Sequence, residues 1–144
     1  MKRLLLLLAM AAPLGLVAAG NENKPKHPLT GVWQQMQTSQ SNGHAMLLPV
    51  WKVMQADGTF CTFLIANQTG QSIITNQGRY EVTSDSTLVE TVSGSITDPE
   101  LVGKGNRLTY TFKNKDTMHV SYRMPGASHD GHEDWVRVKL ELPK

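Results

Sequence analysis

Apolar and polar residues alternate strictly in the last third of the chain. Between residues 107 and 124 every second position is apolar, apart from one interruption: Leu108, Tyr110, Phe112, Met118, Val120, Tyr122 and Met124. The interruption is the polar run Asn114-Lys115-Asp116, which suits a turn. Because the side chains of a strand point alternately to its two faces, this pattern predicts a β-hairpin with one apolar face.

Six further segments are predicted as strands with a less regular pattern: 31–37, 45–55, 59–67, 78–83, 87–92 and 134–142. Asp57-Gly58 predicts a tight turn between two of them. Pro49 predicts a bulge or an edge position, because proline has no N–H group for a ladder hydrogen bond. Residues 94–105 are irregular and leave room for one helical turn. The last strand has one apolar face, which is formed by Val136, Val138, Leu140 and Leu142.

About eight short strands joined mostly by tight turns predict an all-β fold. A meander leaves edge strands exposed, and closure into a barrel removes those edges. Short connections also favour pairing between strands that are neighbours in sequence. We therefore expect a single antiparallel up-and-down barrel, and a two-sheet β-sandwich is the alternative.

The N-terminus has the order of a secretory signal. Residues 1–20 contain a basic start, a leucine-rich apolar run and a small-residue end, so we expect cleavage near Ala19 or Gly20. Residues 21–28 are polar and contain two prolines, which predicts a disordered lead-in before a domain over 29–144. No later segment is apolar for the roughly 20 residues that a spanning helix needs. The predicted location is outside the cytoplasm, in the periplasm or secreted, with no integral membrane segment after cleavage.

Charge and cysteine content exclude two classes of protein. The chain has 14 Lys and Arg against 12 Asp and Glu, and loss of Lys2 and Arg3 with the signal leaves a near-neutral domain. Nucleic-acid binding needs several cations on one face, and no such cluster is present in the sequence, so we expect no nucleic-acid partner. The single cysteine, Cys61, excludes an internal disulfide and is expected to be a buried, inert thiol.

Glu90 is the most informative candidate for a site. It alternates with Leu88 and Val92, so it shares their face and is expected to point into the barrel. A buried carboxylate needs a partner, which is either an inward cation such as Lys52, trapped water or a ligand. The alternative is local twist that leaves Glu90 in solvent. The same reasoning predicts a ligand lining of Glu90 together with further inward side chains: Tyr80, Tyr110, Phe112, Met118 and Tyr122.

A polar run before the last strand is a candidate metal site. His129 and His132 are three residues apart and are flanked by carboxylates, and His119 or His44 would add a third nitrogen ligand for Zn²⁺. The alternative is an exposed loop rich in turn-forming residues. No nucleophile, base and orienting group stand out together, so no catalytic residue and no cofactor are expected, with Zn²⁺ as the one alternative.

The tripeptide Gly31-Val32-Trp33 resembles the Gly-x-Trp that opens the first strand of lipocalin and fatty-acid-binding barrels. In lipocalins an arginine late in the barrel packs over that tryptophan, and the resemblance assigns this role of barrel closure to Arg137 over Trp33. Residues 29–142 are also similar to a family of exported bacterial proteins with a lipocalin-like domain of unknown function. The segments that carry this similarity are GVWQQMQ, WKVMQADGTFCTF, GRYEVTSDSTLVETV, DPELVGKGNRLTYTF and EDWVRV.

Three functions remain open from the sequence. The first is an exported, non-enzymatic protein that binds a small, partly apolar ligand inside the barrel. The second is an envelope interaction module whose barrel is filled with side chains. The third is a metal-dependent enzyme that uses the loop of His129 and His132. The oligomeric state is left open.

Overall fold

The computed structural model of the protein describes residues 27–39, 41–66 and 69–143. Its strands are β1 (Gly31–Thr38), β2 (Ala45–Met54), β3 (Thr59–Ile65), β4 (Ser72–Ser84), β5 (Thr87–Ser95), β6 (Gly105–Asn114), β7 (Thr117–Tyr122) and β8 (Gly131–Arg137). A short 3-10 helix, Pro99–Leu101, lies in the predicted irregular segment between β5 and β6. The predicted signal peptide, residues 1–20, lies outside the described residues.

The eight strands form one closed sheet. Each strand pairs antiparallel with the next, and β8 pairs with β1 to close the barrel. The prediction of an antiparallel up-and-down barrel is therefore confirmed, and the two-sheet sandwich is excluded because the sheet has no free edge. Within the described residues, no helix has the length and apolar content needed to cross a membrane.

The last strand differs from its prediction. It ends at Arg137, and Leu140 and Leu142 beyond it are 76% and 91% exposed. Trp135, on the supposed outer face, is only 3% exposed and points into the barrel. The prediction was wrong because β1 begins at Gly31, so residues after 138 have no partner strand to extend the sheet.

One end of the barrel is closed around Trp33, which is 0% exposed. Its indole N–H donates to the carbonyl of Leu29, 2.8 Å away, so the short segment before β1 covers this end. The Phe112 ring packs beside the indole at a centroid distance of 6.1 Å. His27 and Pro28, the end of the predicted lead-in, already belong to this ordered segment, since the Thr30 N–H donates to the His27 carbonyl.

Arg137 lies opposite Trp33 in the β1–β8 register, and its guanidinium stands 4.2 Å from the centre of the Trp33 ring. The predicted stacking of these two residues is present. The guanidinium also donates from Nη1 to the Thr30 carbonyl (3.0 Å) and from Nη2 to the Pro28 carbonyl (2.6 Å). A Cβ at Gly31 would stand 2.6 Å from Nη1, so glycine is needed there for the arginine to reach its partners.

The opposite end of the barrel is the open end, where the β1–β2, β3–β4, β5–β6 and β7–β8 connections lie. Several apolar side chains at this end remain largely exposed, including Met46 (59%), Ile73 (52%) and Ile96 (63%). Cys61 is half-buried rather than buried as predicted, because its strand neighbours Phe60 and Thr62 are the residues that face the interior. The core therefore fills the closed half of the barrel, and the open half holds the site described next.

Candidate functional site

A cavity of about 410 Å³ occupies the open half of the barrel. Every strand contributes a residue to its lining, because inward side chains from all eight strands converge at the same level. Its apolar walls include Val50, Phe60, Leu64, Val92, Leu108 and Trp135. Its polar groups include Gln35, Lys52, Asn76, Glu90, Asn106 and Glu133. A cavity with apolar walls and a few converging polar groups is the usual form of a small-molecule site.

Lys52 and Glu90 form an ion pair in the interior. The Lys52 ammonium donates to Glu90 Oε1, and the two residues are only 9% and 8% exposed. The ammonium also lies 4.9 Å from the centre of the Phe60 ring and 5.9 Å from that of Trp135. Glu90 thus points inward as its strand pattern predicts, and its partner is the inward cation named from the sequence. The pair is neutral as a unit and holds both charges in fixed positions.

Glu133 is a second inward carboxylate, on β8. Its Oε1 accepts a hydrogen bond from the Tyr122 hydroxyl (3.2 Å), and its Oε2 accepts one from the Trp135 indole (3.0 Å). Burial raises the pKa of Tyr122, and the negative charge of Glu133, its hydrogen bond with the hydroxyl and the charge of Asp98 add to that effect, which brings the pKa to about 12. Asp98 lines the cavity from the β5–β6 connection. The cavity therefore carries negative charge around Tyr122.

Three amide side chains also belong to the polar lining. Gln35, Asn76 and Asn106 project from β1, β4 and β6. The side-chain oxygen of Asn76 is buried and has no hydrogen-bond partner among the described residues. A buried acceptor without a partner is uncommon in a folded protein, and a ligand with a donor would satisfy it.

The six predicted lining residues divide between the two ends of the barrel. Glu90 and Tyr122 line the cavity, but the other four do not. Tyr110 and Met118 are 4% and 2% exposed within the core, and Phe112 packs on the closed end. The Tyr80 hydroxyl donates to the Gln55 carbonyl beside the β2–β3 turn, also at the closed end. Alternation identifies which residues point inward, but it does not give their height along the barrel axis.

Several cavity residues were not predicted as lining. Asn106 and Asn76 are inward amides, and Asp98 comes from a connection that has no alternation to interpret. Glu133 is one of the carboxylates that flank the candidate metal-binding histidines in the sequence. Glu133 alternates with Trp135, so the two residues share one face of β8. That face was not recognised as the inner one because Val136, Val138, Leu140 and Leu142 were predicted to form the apolar face of this strand.

The structure brings His132 beside His119, one of the two further ligands suggested by the sequence, but it places His129 and His44 in two exposed connections. His132 stacks on His119 with ring centroids 5.5 Å apart, on the outer face of β7 and β8. His129 lies in the exposed β7–β8 connection, and His44 lies in the exposed β1–β2 connection. In the part of the chain that the structure describes, no group of three or more His, Cys, Asp or Glu side chains is placed to hold a metal ion. Zn²⁺ binding by His129 and His132 stays a prediction.

Hydrogen bonds organise the stacked histidines into a surface network. Ser121 Oγ lies 3.0 Å from Nδ1 of His132 and 3.4 Å from Nε2 of His119, and His119 Nδ1 lies 2.9 Å from Asp134 Oδ1. The Lys113 ammonium also donates to that carboxylate oxygen, at 2.9 Å. Burial alone would raise the pKa of Asp134, but the hydrogen bonds and the charge interactions with Lys113 and His119 together outweigh burial and lower it.

The comparisons with known proteins give a family and no activity. No curated protein matches the chain. A family model does match it over residues 28–144, which is the whole of the barrel and most of the chain. The chain therefore belongs to the family described as domain of unknown function (DUF4488).

Proposed function

We propose that this chain is an exported, lipocalin-like binding protein that holds a small, partly apolar ligand in the open half of its barrel. The observation that carries the proposal is the cavity of about 410 Å³, with apolar walls and a charged pair set into them. The interior of an eight-stranded barrel is wide enough for packed side chains or for one small ligand. Here the core fills the closed half, and core residues such as Val92 and Trp135 continue into the walls of the cavity.

Two further features support binding rather than conversion. The exposed apolar side chains Met46, Ile73 and Ile96 lie at the same end as the cavity, where an apolar ligand would enter. Lys52 and Glu90 are engaged with each other, which leaves neither group free to act as a base or nucleophile. The protein is proposed to be a carrier or sensor of its ligand and not an enzyme.

The test uses N-phenyl-1-naphthylamine, an uncharged dye whose fluorescence increases when it enters an apolar site. Titration of the purified protein should give saturable enhancement with a stoichiometry near one. Val50→Phe places a ring in the cavity and should weaken the dye at least tenfold. Val53→Phe, on the outer face of the same strand, is the matched control and should bind the dye as the unaltered protein does. No enhancement, or equal binding by both variants, would contradict the proposal and favour a barrel that acts as a filled interaction module.

Export is the second part of the proposal and rests on residues 1–20. The basic start, apolar run and small-residue end are the pattern of a cleaved secretory signal. The intact mass of the protein from its native host should correspond to loss of about the first 20 residues. A full-length protein retained in the membrane fraction would show that the segment is an anchor.

A further inference from the structure

The charged side chains that line the cavity are unbalanced. One cation, Lys52, faces three carboxylates, those of Glu90, Asp98 and Glu133. The lining therefore carries excess negative charge inside a cavity with apolar walls, where charges are screened less than in water. A ligand with positive charge would correct this imbalance, whereas a ligand with negative charge would increase it.

Lys52, the one cation among the described residues of the lining, is already paired with Glu90. Lys52 donates to Glu90 and lies between the Phe60 and Trp135 rings, so an anionic ligand that approached it would stand beside the Glu90 carboxylate and be repelled by that charge. The cavity is therefore poorly suited to a carboxylate or phosphate ligand.

The carboxylates of the cavity keep free acceptor capacity. Both Glu133 oxygens accept from uncharged donors, Tyr122 and Trp135, and each oxygen has a further lone pair available. The Asn76 oxygen is buried without a partner among the described residues. Asp98 also lines the cavity, and the charges of Asp98 and Glu133 both raise the pKa of Tyr122.

From this charge balance and the free carboxylate acceptors we infer that the ligand of the cavity carries a protonated amine on a small apolar body. The inference rests on the proposed function and deepens it. The apolar part packs against the walls beside Val92 and Leu108, and the ammonium donates to the carboxylates of Glu133 and Asp98. The Lys52–Glu90 pair stays intact beneath the ligand.

Competition against N-phenyl-1-naphthylamine tests the inference with three probes that share one apolar body. They are phenethylamine, 2-phenylethanol and 3-phenylpropanoate, which are cationic, neutral and anionic at neutral pH. The amine should displace the dye at least tenfold more effectively than the carboxylate, with the alcohol between them. A carboxylate or alcohol that competes as well as the amine would overturn the inference and leave the proposed function standing.

Two variants locate the charge that selects the amine. Glu133→Gln should reduce the advantage of the amine over the alcohol about tenfold while the dye still binds. Asp98→Asn should act in the same direction and replaces Glu133→Gln if loss of the Tyr122 and Trp135 bonds unfolds the barrel. Glu100→Gln is the matched control, because Glu100 is exposed at the same end and does not line the cavity.

The controls separate the two proposals. Unchanged amine selectivity in both Glu133→Gln and Asp98→Asn would overturn the inference, since the selectivity would then arise elsewhere. A loss in Glu100→Gln equal to that in Glu133→Gln would also overturn it, since general surface charge would explain the effect. Failure of the dye itself to bind would refute the proposed function, and the inference with it.

Discussion

The Lys52–Glu90 pair offers the sharpest test of how the barrel interior is organised. Three variants are needed: Lys52→Met, Glu90→Leu and the double variant. The two side chains are 11% and 10% exposed, so either single change leaves the remaining charge buried without its partner. Removal of one partner of a buried pair costs about 3–5 kcal/mol in the free energy of unfolding.

The double variant is expected to be more stable than either single variant. Replacing both charges with apolar side chains of similar volume is often neutral or stabilising, because the desolvation cost of both ions is removed. The coupling energy of the cycle should therefore amount to several kcal/mol, since the two residues are in direct contact. Met54 and Leu88 already surround the pair on its closed-end side, so the replacement side chains would extend an existing core.

Equilibrium unfolding in urea, followed by tryptophan fluorescence, measures these effects. With a slope of about 1.5 kcal/mol per molar urea, a loss of 3–5 kcal/mol moves the midpoint down by about 2–3 M. Lys113→Met is the matched control, because Lys113 is 52% exposed in its pair with Asp134 and should cost less than about 1 kcal/mol. Single variants near the stability of the unaltered protein, or a double variant whose loss is the sum of the two, would show that the pair is solvated.

Three further predictions concern other parts of the barrel. Arg137→Ala should lower the free energy of unfolding by about 2–4 kcal/mol, because it removes the Trp33 contact and two hydrogen bonds from a charged donor. An unchanged urea midpoint in this variant would contradict the role of Arg137 in closing the barrel. Gly78→Ala should destabilise the protein by about 2–3 kcal/mol in the same assay, because the new Cβ would stand 2.1 Å from a backbone oxygen of β5. A neutral result would mean that β4 and β5 separate easily at this position. The pKa of Tyr122 is raised from 10.0 to about 12, so the folded state holds the phenol proton more tightly than the unfolded chain does. This protonated phenol therefore contributes its full stabilisation below pH 10, and the contribution decreases as the pH rises from 10 to 12. Phenolate absorbance should show this late titration, and Glu133→Gln should move it to lower pH; a titration near pH 10 in both proteins would refute the proposed environment.

Period-2 alternation was sufficient to predict the strands β6 and β7 and the inward direction of Glu90. These features depend on local backbone geometry, because a strand turns its side chains to alternate faces whatever it pairs with. The strand count and short turns likewise favoured closure into a barrel, since a meander has no other way to remove its edges. The stacking of Arg137 on Trp33 came from the resemblance to lipocalins, and the structure adds the reason for Gly31, whose missing Cβ leaves room for the guanidinium.

The location of the site was decided only by the tertiary structure. Successive strands run in opposite directions around the barrel, so a residue's place in its strand says nothing by itself about which end it reaches. Tyr110 and Tyr122 both point inward, yet one is in the core of the closed end and the other lines the cavity of the open end. Lys52 and Glu90 are separated by 38 residues and by strands β3 and β4, and they meet because barrel closure brings opposite walls into contact across the interior. That contact joins residues far apart in sequence. Alternation along one strand predicts that Glu90 points inward, but only the closed sheet determines which side chains surround it.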